Sequence, residues 1–454
     1  MAAWLVVAEH ARSLVFVDYG DLQAPGLLAK AFYFLTGFGH EAVMVFFVIS
    51  GFLVGGKVWS LYQEGRFEWR RYLVDRVSRL YAVLFVALLL GAILDWVGYL
   101  YFNKYGLYSH GYQGAIAVFR TAPIDQMGWE YFLVNGLFLQ TILGPTYGSN
   151  GPLWSLAYEW WYYILFPLVL AAVWPIVDYG KRFLKGDRRS KIGDGGNEEI
   201  LTMENTKRTE GWAGARLASQ DGDVFSNPST SELARDSEKT SLTRSTSGPV
   251  LPVTNYSLIA KHAFGALVYL LAIAGLFCLL TWNILIFFGV WLLGVLAAVF
   301  GPKIFGSQSP VLRLWISFAA LIVCGGIFCV ERLEILEKGM INQYLIGFGF
   351  FLLLISLSAI PWNLPCYRFS KHFADFSYSV YLVHFPVLVF TLSLAYQFIG
   401  SGIRMPFHLG AFLWYLSVFM LSILVSWIIS LFTEKKTPIL RAFIYQVFKI
   451  EVKP

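Results

Sequence analysis

Ten apolar stretches, each long enough to cross a lipid bilayer as a helix, follow one another along the sequence. A membrane-spanning helix needs about 20 mostly apolar residues, and only helices and closed barrels satisfy their backbone hydrogen bonds in lipid. The stretches are residues 1–17, 41–59, 77–101, 153–176, 258–281, 284–300, 311–330, 341–360, 376–398 and 410–432. The sequence therefore predicts an all-α fold, a polytopic membrane helical bundle of about ten transmembrane helices.

The composition excludes an ordinary soluble protein. Hydrophobic residues make up 57% of the chain and charged residues only 14%, whereas a soluble domain has about 25% charged residues. The formal net charge of +6 comes largely from basic residues in loops between the apolar stretches, which is a signal of membrane topology. We therefore expect the lipid bilayer as a partner and no nucleic acid.

Lysine and arginine residues are concentrated in alternate loops. The loop before the third stretch carries Arg70, Arg71 and Arg76, whereas the loop after it carries only Lys104 and Arg120. Cytoplasmic loops are the ones enriched in basic residues. The alternation predicts a multi-pass protein of the plasma membrane (the inner membrane in a bacterium) with both termini in the cytoplasm.

One long polar segment, residues 178–257, interrupts the apolar pattern. It is rich in Ser, Thr, Gly, Asn and charged residues, a composition typical of disorder. A regulatory or docking role for this segment is the alternative to a tolerated insertion. The predicted parts are an N-terminal part of the membrane domain (1–177), a disordered cytoplasmic loop (178–257), a C-terminal part of the membrane domain (258–433) and a cytoplasmic tail (434–454).

A carboxylate lies inside the fourth apolar stretch. Residues 151–167 read GPLWSLAYEWWYYILFP, and Glu159 is the acidic residue among these aromatic neighbours. An ionised carboxylate in hydrocarbon is costly, so such a residue usually faces a protein interior or a watery cavity. Glu159 is therefore a candidate functional residue, and Trp154 and Ser155 of the same motif are candidates to line a cavity.

Two more polar residues lie within the first two stretches. His10 is in the first stretch, where a histidine marks a proton-handling or ligand site by default; a histidine that only bonds neighbouring helices is an equal alternative. Ser50 stands in the second stretch, in FFVISGFLV, next to Gly51. Small residues there allow close helix packing or admit a ligand.

A basic segment, EWRRYLVDRVSRLY, precedes the third stretch. Its Arg76 and Arg79 are three residues apart and share a helix face, and Arg71 precedes them. Positive-inside topology alone accounts for these arginines, but guanidinium groups at the mouth of a bundle also bind phosphate groups bidentately. Their charge does not discriminate between the two interpretations.

The ninth stretch contains a polar stripe. Tyr378, Tyr381 and His384 follow one another at intervals of three in FSYSVYLVHFPV, so they lie on one side of a helix. This stripe is more polar than packing requires, and it favours a face that lines a cavity. The four cysteines show no metal-ligand spacing, and we predict no metal site.

Four motifs, taken together and in this order, resemble the acyltransferase 3 family of integral membrane acyltransferases. They are the histidine of the first stretch, FFVISGFLV, RRYLVDRVSRLY, and GPLWSLAYEWWYYILFP followed much later by SYSVYLVHFP. The resemblance covers the chain except the 178–257 insertion. It implies transfer of an acyl group, commonly acetyl from acetyl-CoA, onto hydroxyl groups of exported or surface glycans.

The resemblance also implies roles for individual residues. His10 matches a histidine proposed to act in transfer, Glu159 matches the acidic residue of the WSLxxE motif, and the expected acyl-CoA site contains Arg71, Arg76, Arg79 and Ser50. The predicted catalytic residues are His10, acting as general base, and Glu159. The expected partners are acyl-CoA, as a co-substrate with no bound cofactor, and a glycan or glycolipid acceptor.

The sequence departs from the family pattern at two places. Members carry an arginine before the histidine, at a position that here would precede Met1, which suggests either that the true start lies upstream of this numbering or that the chain is truncated. Members often carry an acidic residue shortly before the FF pair, where Met44 stands here, with Glu41 one helical turn earlier. Glu41 is a candidate substitute.

A non-enzymatic transporter or flippase of a lipid-linked glycan is the alternative function from another class. Ten spans suit such a protein, with Glu159 and His384 lining its path. The arginines and His10 favour the enzyme, because a neutral cargo needs no cytoplasmic phosphate site. Binding of CoA discriminates between the two.

Overall fold

The structure, a computed structural model, describes residues 2–109, 121–192, 256–306, 308–333, 339–357, 371, 373–399 and 404–450. Most of these residues are helical. The first seven helices are α1 (Ala2–Val15), α2 (Leu27–Leu35), α3 (Gly39–Ser50), α4 (Gly56–Gln63), α5 (Trp69–Tyr101), α6 (Trp129–Gly136) and α7 (Leu153–Ile192). They are followed by α8 (Tyr256–Leu279), α9 (Trp282–Phe305), α10 (Pro310–Arg332), α11 (Met340–Leu357), α12 (Ser377–Ile399), α13 (Leu409–Phe432) and α14 (Thr437–Val447).

Within the described residues, eight helical segments are long and apolar enough to cross a membrane. The prediction of an all-α polytopic membrane protein is thereby confirmed. Two of the ten predicted stretches correspond to shorter helices. The first is α1, which has 14 residues, and the other is the described apolar part of α8, Phe264–Leu279.

The helix α12 lies deepest in the bundle. In its most apolar window 78% of the residues are buried, against 17% for α10. The helix α12 packs against α13, α5 and α1. The polar stripe predicted on α12 is therefore enclosed by other helices, while α10 presents most of its apolar surface outward, as a lipid-facing helix does.

The second predicted stretch is not one regular helix. A π-helical turn, Gly51–Gly55, separates α3 from α4. The turn lies at a close crossing with α9: a Cβ atom at Gly51 would meet the carbonyl oxygen of Trp291, and one at Gly294 would meet that of Val48. Glycine at both positions lets the two backbones approach this closely.

The segment predicted to be disordered, residues 178–257, is helical at its start, because α7 continues to Ile192. Residues 193–255, most of the predicted disordered loop, lie outside the described residues. The chain forms two compact units, one of Met1–Ala172 with Val268–Pro454, the other of Val173–Leu267. Every candidate functional residue belongs to the first unit.

The predicted tail adds a helix to the bundle. In α14, the hydroxyl of Tyr445 donates to Oδ1 of Asp75 over 2.7 Å, and Nη1 of Arg441 lies 3.6 Å from the same oxygen. Asp75 belongs to the first turns of α5. The tail is therefore fixed to the end of α5 that carries the arginines.

Candidate active site

A proline in α12 leaves one backbone carbonyl beside the polar stripe without a helical hydrogen bond. Pro386 has no backbone N–H, so the carbonyl of Leu382, four residues earlier, has no helical donor. The side chain of Asn150 donates to this carbonyl over 2.9 Å. This bond ties the loop before α7 to α12, beside the buried residues Tyr381 and His384.

His10 and His384 form a direct contact between α1 and α12. Nδ1 of His10 lies 2.9 Å from Nε2 of His384, and the two rings are nearly parallel, 7° apart, with centroids separated by 5.2 Å. The other nitrogen of His384, Nδ1, lies 2.9 Å from the carbonyl oxygens of Val380 and Tyr381. His384 is fully buried, and His10 is partly buried.

Glu159 lies in a second buried group of hydrogen bonds. Its Oε1 accepts from Ser50, whose Oγ is 2.7 Å away, and from the hydroxyl of Tyr163. The indole Nε1 of Trp291 donates to Ser50 Oγ over 3.2 Å. Both bonds to the carboxylate end on one oxygen, and no described side chain donates to Oε2.

Arg76 adjoins this second group. Its guanidinium carbon lies 5.7 Å from the ring centroid of Tyr163 and 5.8 Å from that of Tyr72, within the range of a cation–π interaction. The Tyr72 hydroxyl donates to the carbonyl of Tyr163 over 2.9 Å. The aromatic rings thus position the guanidinium next to the residues that bind Glu159.

The three predicted donor-site arginines do not share one location. Arg76 and Arg79 are the cations that act electrostatically on Glu159, whereas Arg71 acts on Tyr445 of α14. Arg71 and Arg79 are exposed. The structure therefore brings Arg76 and Arg79, and not Arg71, towards the buried carboxylate.

Ser155 and Tyr381 form a hydrogen-bonded pair between α7, which carries Glu159, and α12, which carries His384. Ser155 Oγ lies 2.5 Å from the Tyr381 hydroxyl, and both are near the carbonyl of Pro152. Ser155 is four residues before Glu159 on α7 and shares its helix face, while the rings of Tyr381 and His384 are 6.1 Å apart. The resulting row of side chains, which we call the polar chain, consists of Arg76, Tyr163, Glu159, Ser50, Ser155, Tyr381, His384 and His10.

Two predicted cavity residues have other contacts. The ring of Trp154 packs edge-on against Phe47 and Tyr158. The hydroxyl of Tyr378 donates to the carbonyl of Leu80 on α5 over 3.3 Å. Their described contacts are those of packing and helix attachment.

Sequence reasoning missed Tyr163 and Trp291. Tyr163 stands four residues after Glu159 in the motif, so its helical spacing was the available signal. Trp291 gave no such signal, since its role depends on the crossing of α3 and α9.

Sequence reasoning also did not predict the contacts of Arg12 and Arg332. Nη2 of Arg12 is 4.0 Å from Oε1 of Glu9, and Arg332 donates to the carbonyl of Tyr33 over 2.9 Å. Glu41 is buried, and its Oε2 bonds to none of the described residues.

Among the described residues, no cluster of three His, Cys, Asp or Glu side chains is arranged to hold a metal ion.

Comparison with known proteins gives one result. The family model described as an acyltransferase domain matches residues 1–184, and no curated protein and no solved structure matches the chain. The matched segment includes His10, Ser50, the three arginines and Glu159, and it ends before Tyr381 and His384. The match agrees with the resemblance stated above: residues 1–184 are similar to the acyltransferase domain of the acyltransferase 3 family, in a chain whose described residues include eight helical segments able to cross a membrane.

Proposed function

We propose that the protein transfers an acyl group, such as acetyl, from acyl-CoA to a hydroxyl of a glycan or glycolipid. One observation carries this proposal. The polar chain runs through the interior of the helices from Arg76, a group suited to phosphate, to His10, a group suited to proton transfer. A polar row of this kind inside membrane helices is costly and usually serves function.

The donor binds at the end of the polar chain that holds Arg76. Guanidinium groups bind phosphate bidentately, and the rings of Tyr72 and Tyr163 hold the guanidinium of Arg76 in one orientation. Arg79 adds a second positive charge near Glu159. Acyl-CoA enters here from the predicted cytoplasmic side, and its thioester extends along the polar chain.

Glu159 acts on the donor side as a positioning residue. Its described bonds go to Ser50 and Tyr163, and His10 is bonded to His384 instead. The carboxylate therefore fixes two hydroxyl groups next to Arg76 and balances the charge of the arginines when no donor is bound. None of these bonds joins Glu159 to the imidazole of His10.

The transfer step uses His10 as general base. His10 takes the proton of the acceptor hydroxyl, the oxygen attacks the thioester carbonyl carbon, and the carbon–sulfur bond breaks as the new ester forms. The proton on His10 then passes to the leaving CoA thiolate, so the products are the ester and CoA thiol. General base catalysis of this kind contributes roughly 10²–10⁴-fold.

Ser155 and Tyr381 are placed to assist the same step. Their hydroxyls are 2.5 Å apart, so one donates to the other. The remaining hydroxyl proton faces the carbonyl oxygen of Pro152 in a long hydrogen bond of 3.3–3.4 Å, and in the transfer step it turns to the oxyanion that develops on the thioester oxygen. Removal of one such donor costs roughly 2.7–4 kcal/mol.

Binding of acetyl-CoA to purified protein in lipid tests the donor side. We expect wild-type protein to bind, and we expect Arg76→Gln to weaken binding about tenfold or more, because a hydrogen bond to a charged group contributes roughly 1.5–3 kcal/mol. The matched control is Arg66→Gln, since Arg66 is an exposed arginine paired with Glu64, and an exposed pair contributes about 0–1 kcal/mol. Absence of acetyl-CoA binding by the wild type would contradict the enzyme and favour the flippase.

A further inference from the structure

A histidine that acts as a base must present an unprotonated nitrogen to the acceptor. Neutral imidazole carries its proton on one ring nitrogen and a lone pair on the other, and the hydrogen bonds of each nitrogen decide which is which. The partners of His10 and His384 are defined on three of their four ring nitrogens. These partners determine which ring nitrogens carry a proton.

Nδ1 of His384 lies close to two backbone carbonyl groups. Both atoms within 2.9 Å of it are carbonyl oxygens, those of Val380 and Tyr381. Carbonyl oxygens only accept hydrogen bonds. Nδ1 of His384 must therefore carry the proton, and in the neutral ring Nε2 holds the lone pair.

The two imidazole rings contact each other through one nitrogen each. Nε2 of His384 lies 2.9 Å from Nδ1 of His10. Since Nε2 of His384 is an acceptor, Nδ1 of His10 must be the donor and carry its proton. The lone pair of neutral His10 is then on Nε2, a nitrogen that bonds to no described residue.

We propose that His384 is a positioning residue that holds His10 in the tautomer with its proton on Nδ1, which leaves Nε2 as the base. The proposal rests on the proposed function and identifies how its base is prepared. When His10 takes the acceptor proton at Nε2, its Nδ1–H remains bonded to His384. That bond becomes charge-assisted and roughly twice as strong, so His384 also stabilises the protonated intermediate.

The surroundings of His384 prevent its ring from turning over. The residue is fully buried, and the loop residue Asn150 fixes α12 at Leu382, next to it. Rotation of the ring by 180° would place a carbon atom in front of the two carbonyl oxygens and lose both contacts. Phe385 packs edge-on against His10 with centroids 5.0 Å apart, which also limits the orientation of the His10 ring.

The test is a measurement of the two tautomers by ¹⁵N NMR on protein in lipid nanodiscs, with histidine labelled at both ring nitrogens. The chain has 7 histidines, and spectra of His10→Gln and His384→Asn assign the two that matter. We expect a protonated Nδ1 and an unprotonated Nε2 in both rings of the neutral wild type. A proton on Nε2 of His10 in that spectrum would overturn the proposal, and this measurement needs no variant to be active.

Two substitutions at His384 add a functional readout. The amide of Asn reaches the position of Nδ1 only, whereas that of Gln reaches the position of Nε2 and can accept from His10. We expect His384→Asn to lower kcat about 100-fold, the lower end of a general-base contribution, and to shift His10 towards the other tautomer, while His384→Gln restores part of both. Equal kcat and an unchanged His10 tautomer in His384→Asn would contradict a positioning role.

The outcome separates this proposal from the proposed function. The predicted tautomers in a protein that transfers no acyl group would support the histidine pair and contradict the acyltransferase mechanism. Acyl transfer by a protein whose His10 carries its proton on Nε2 would support the enzyme and contradict the role of His384.

Discussion

Among single residues, Glu159 shows how the buried charge is accommodated. An isolated carboxylate at membrane depth costs several kcal/mol, and here two hydroxyl groups donate to it while Arg76 and Arg79 act on it electrostatically. Ser50 receives a further bond from Trp291. The carboxylate is therefore the centre of a network in which each partner depends on the others.

Removal of one hydroxyl from this network tests its role in donor binding. We expect Tyr163→Phe to lower kcat/KM for acetyl-CoA about tenfold, because a hydrogen bond to a charged group contributes roughly 1.5–3 kcal/mol. The aromatic ring under Arg76 stays in this variant, so the effect reports the hydroxyl alone.

Tyr162→Phe is the matched control for this experiment. Tyr162 is also buried, but its hydroxyl donates to the backbone carbonyl of Ile284 over 3.1 Å, away from Glu159. We expect kcat/KM of this variant to stay close to that of the wild type. An equal loss in both variants would show that general packing, and not the Glu159 network, sets donor binding.

The residues of the site were predictable to different degrees. Glu159, His10 and His384 were found because a titratable side chain in an apolar stretch conflicts with burial in lipid. Their pairing was not predictable: His10 and His384 are 374 positions apart, and helix spacing relates only near neighbours along the chain. For Arg71 the sequence predicted a shared site with Arg76 and Arg79, but in the structure Arg71 lies near Tyr445 and the other two act on Glu159.

Among the helices, the crossing of α3 with α9 sets the position of Ser50. Gly51 begins the π-helical turn and touches the backbone of Trp291, and Gly294 touches the backbone of Val48. The sequence predicted a single span across residues 41–59, since a hydropathy pattern does not reveal a contact with a helix more than two hundred residues later. π-helical turns are frequent at functional sites, and this one lies next to the Glu159 network.

A methyl group at this crossing should separate the two helices. We expect Gly294→Ala to destabilise the protein by about 1–3 kcal/mol, the usual cost of overpacking, and to weaken the bond from Trp291 to Ser50. Gly325→Ala is the control, because Gly325 lies on α10 with nothing within 4 Å of an added Cβ atom. Thermal unfolding in detergent measures both; equal midpoints for the two variants would contradict the close crossing.

At the scale of the whole molecule, the polar chain draws on both halves of the sequence. His10, Ser50, Arg76 and the residues of α7 lie within the matched domain, residues 1–184. Tyr381 and His384 come from α12, near the other end of the chain. Hydropathy predicted the spans of both halves, whereas their assembly into one site depends on side-chain contacts between distant helices.

The eight residues that define the polar chain all lie outside the segment 193–255, between α7 and α8. We expect replacement of residues 193–255 by a Gly/Ser segment of equal length to leave acyl transfer within about twofold of the wild type, a change of roughly 0.4 kcal/mol. A variant with the natural residues of 193–255 in shuffled order is the control for composition. Loss of transfer in both folded variants would favour the alternative in which this segment has a regulatory or docking role.

The most direct test of the central claim is transfer of radiolabelled acetyl from acetyl-CoA by purified protein in lipid vesicles. The comparison is between wild type, His10→Gln and His408→Asn, where His408 caps α13 through its ring nitrogen and Asn is itself a good cap. We expect transfer by the wild type and by His408→Asn, and a loss of about 100-fold or more in His10→Gln, with normal expression of all three. Transfer by His10→Gln at the wild-type rate would contradict the assignment of His10 as the base.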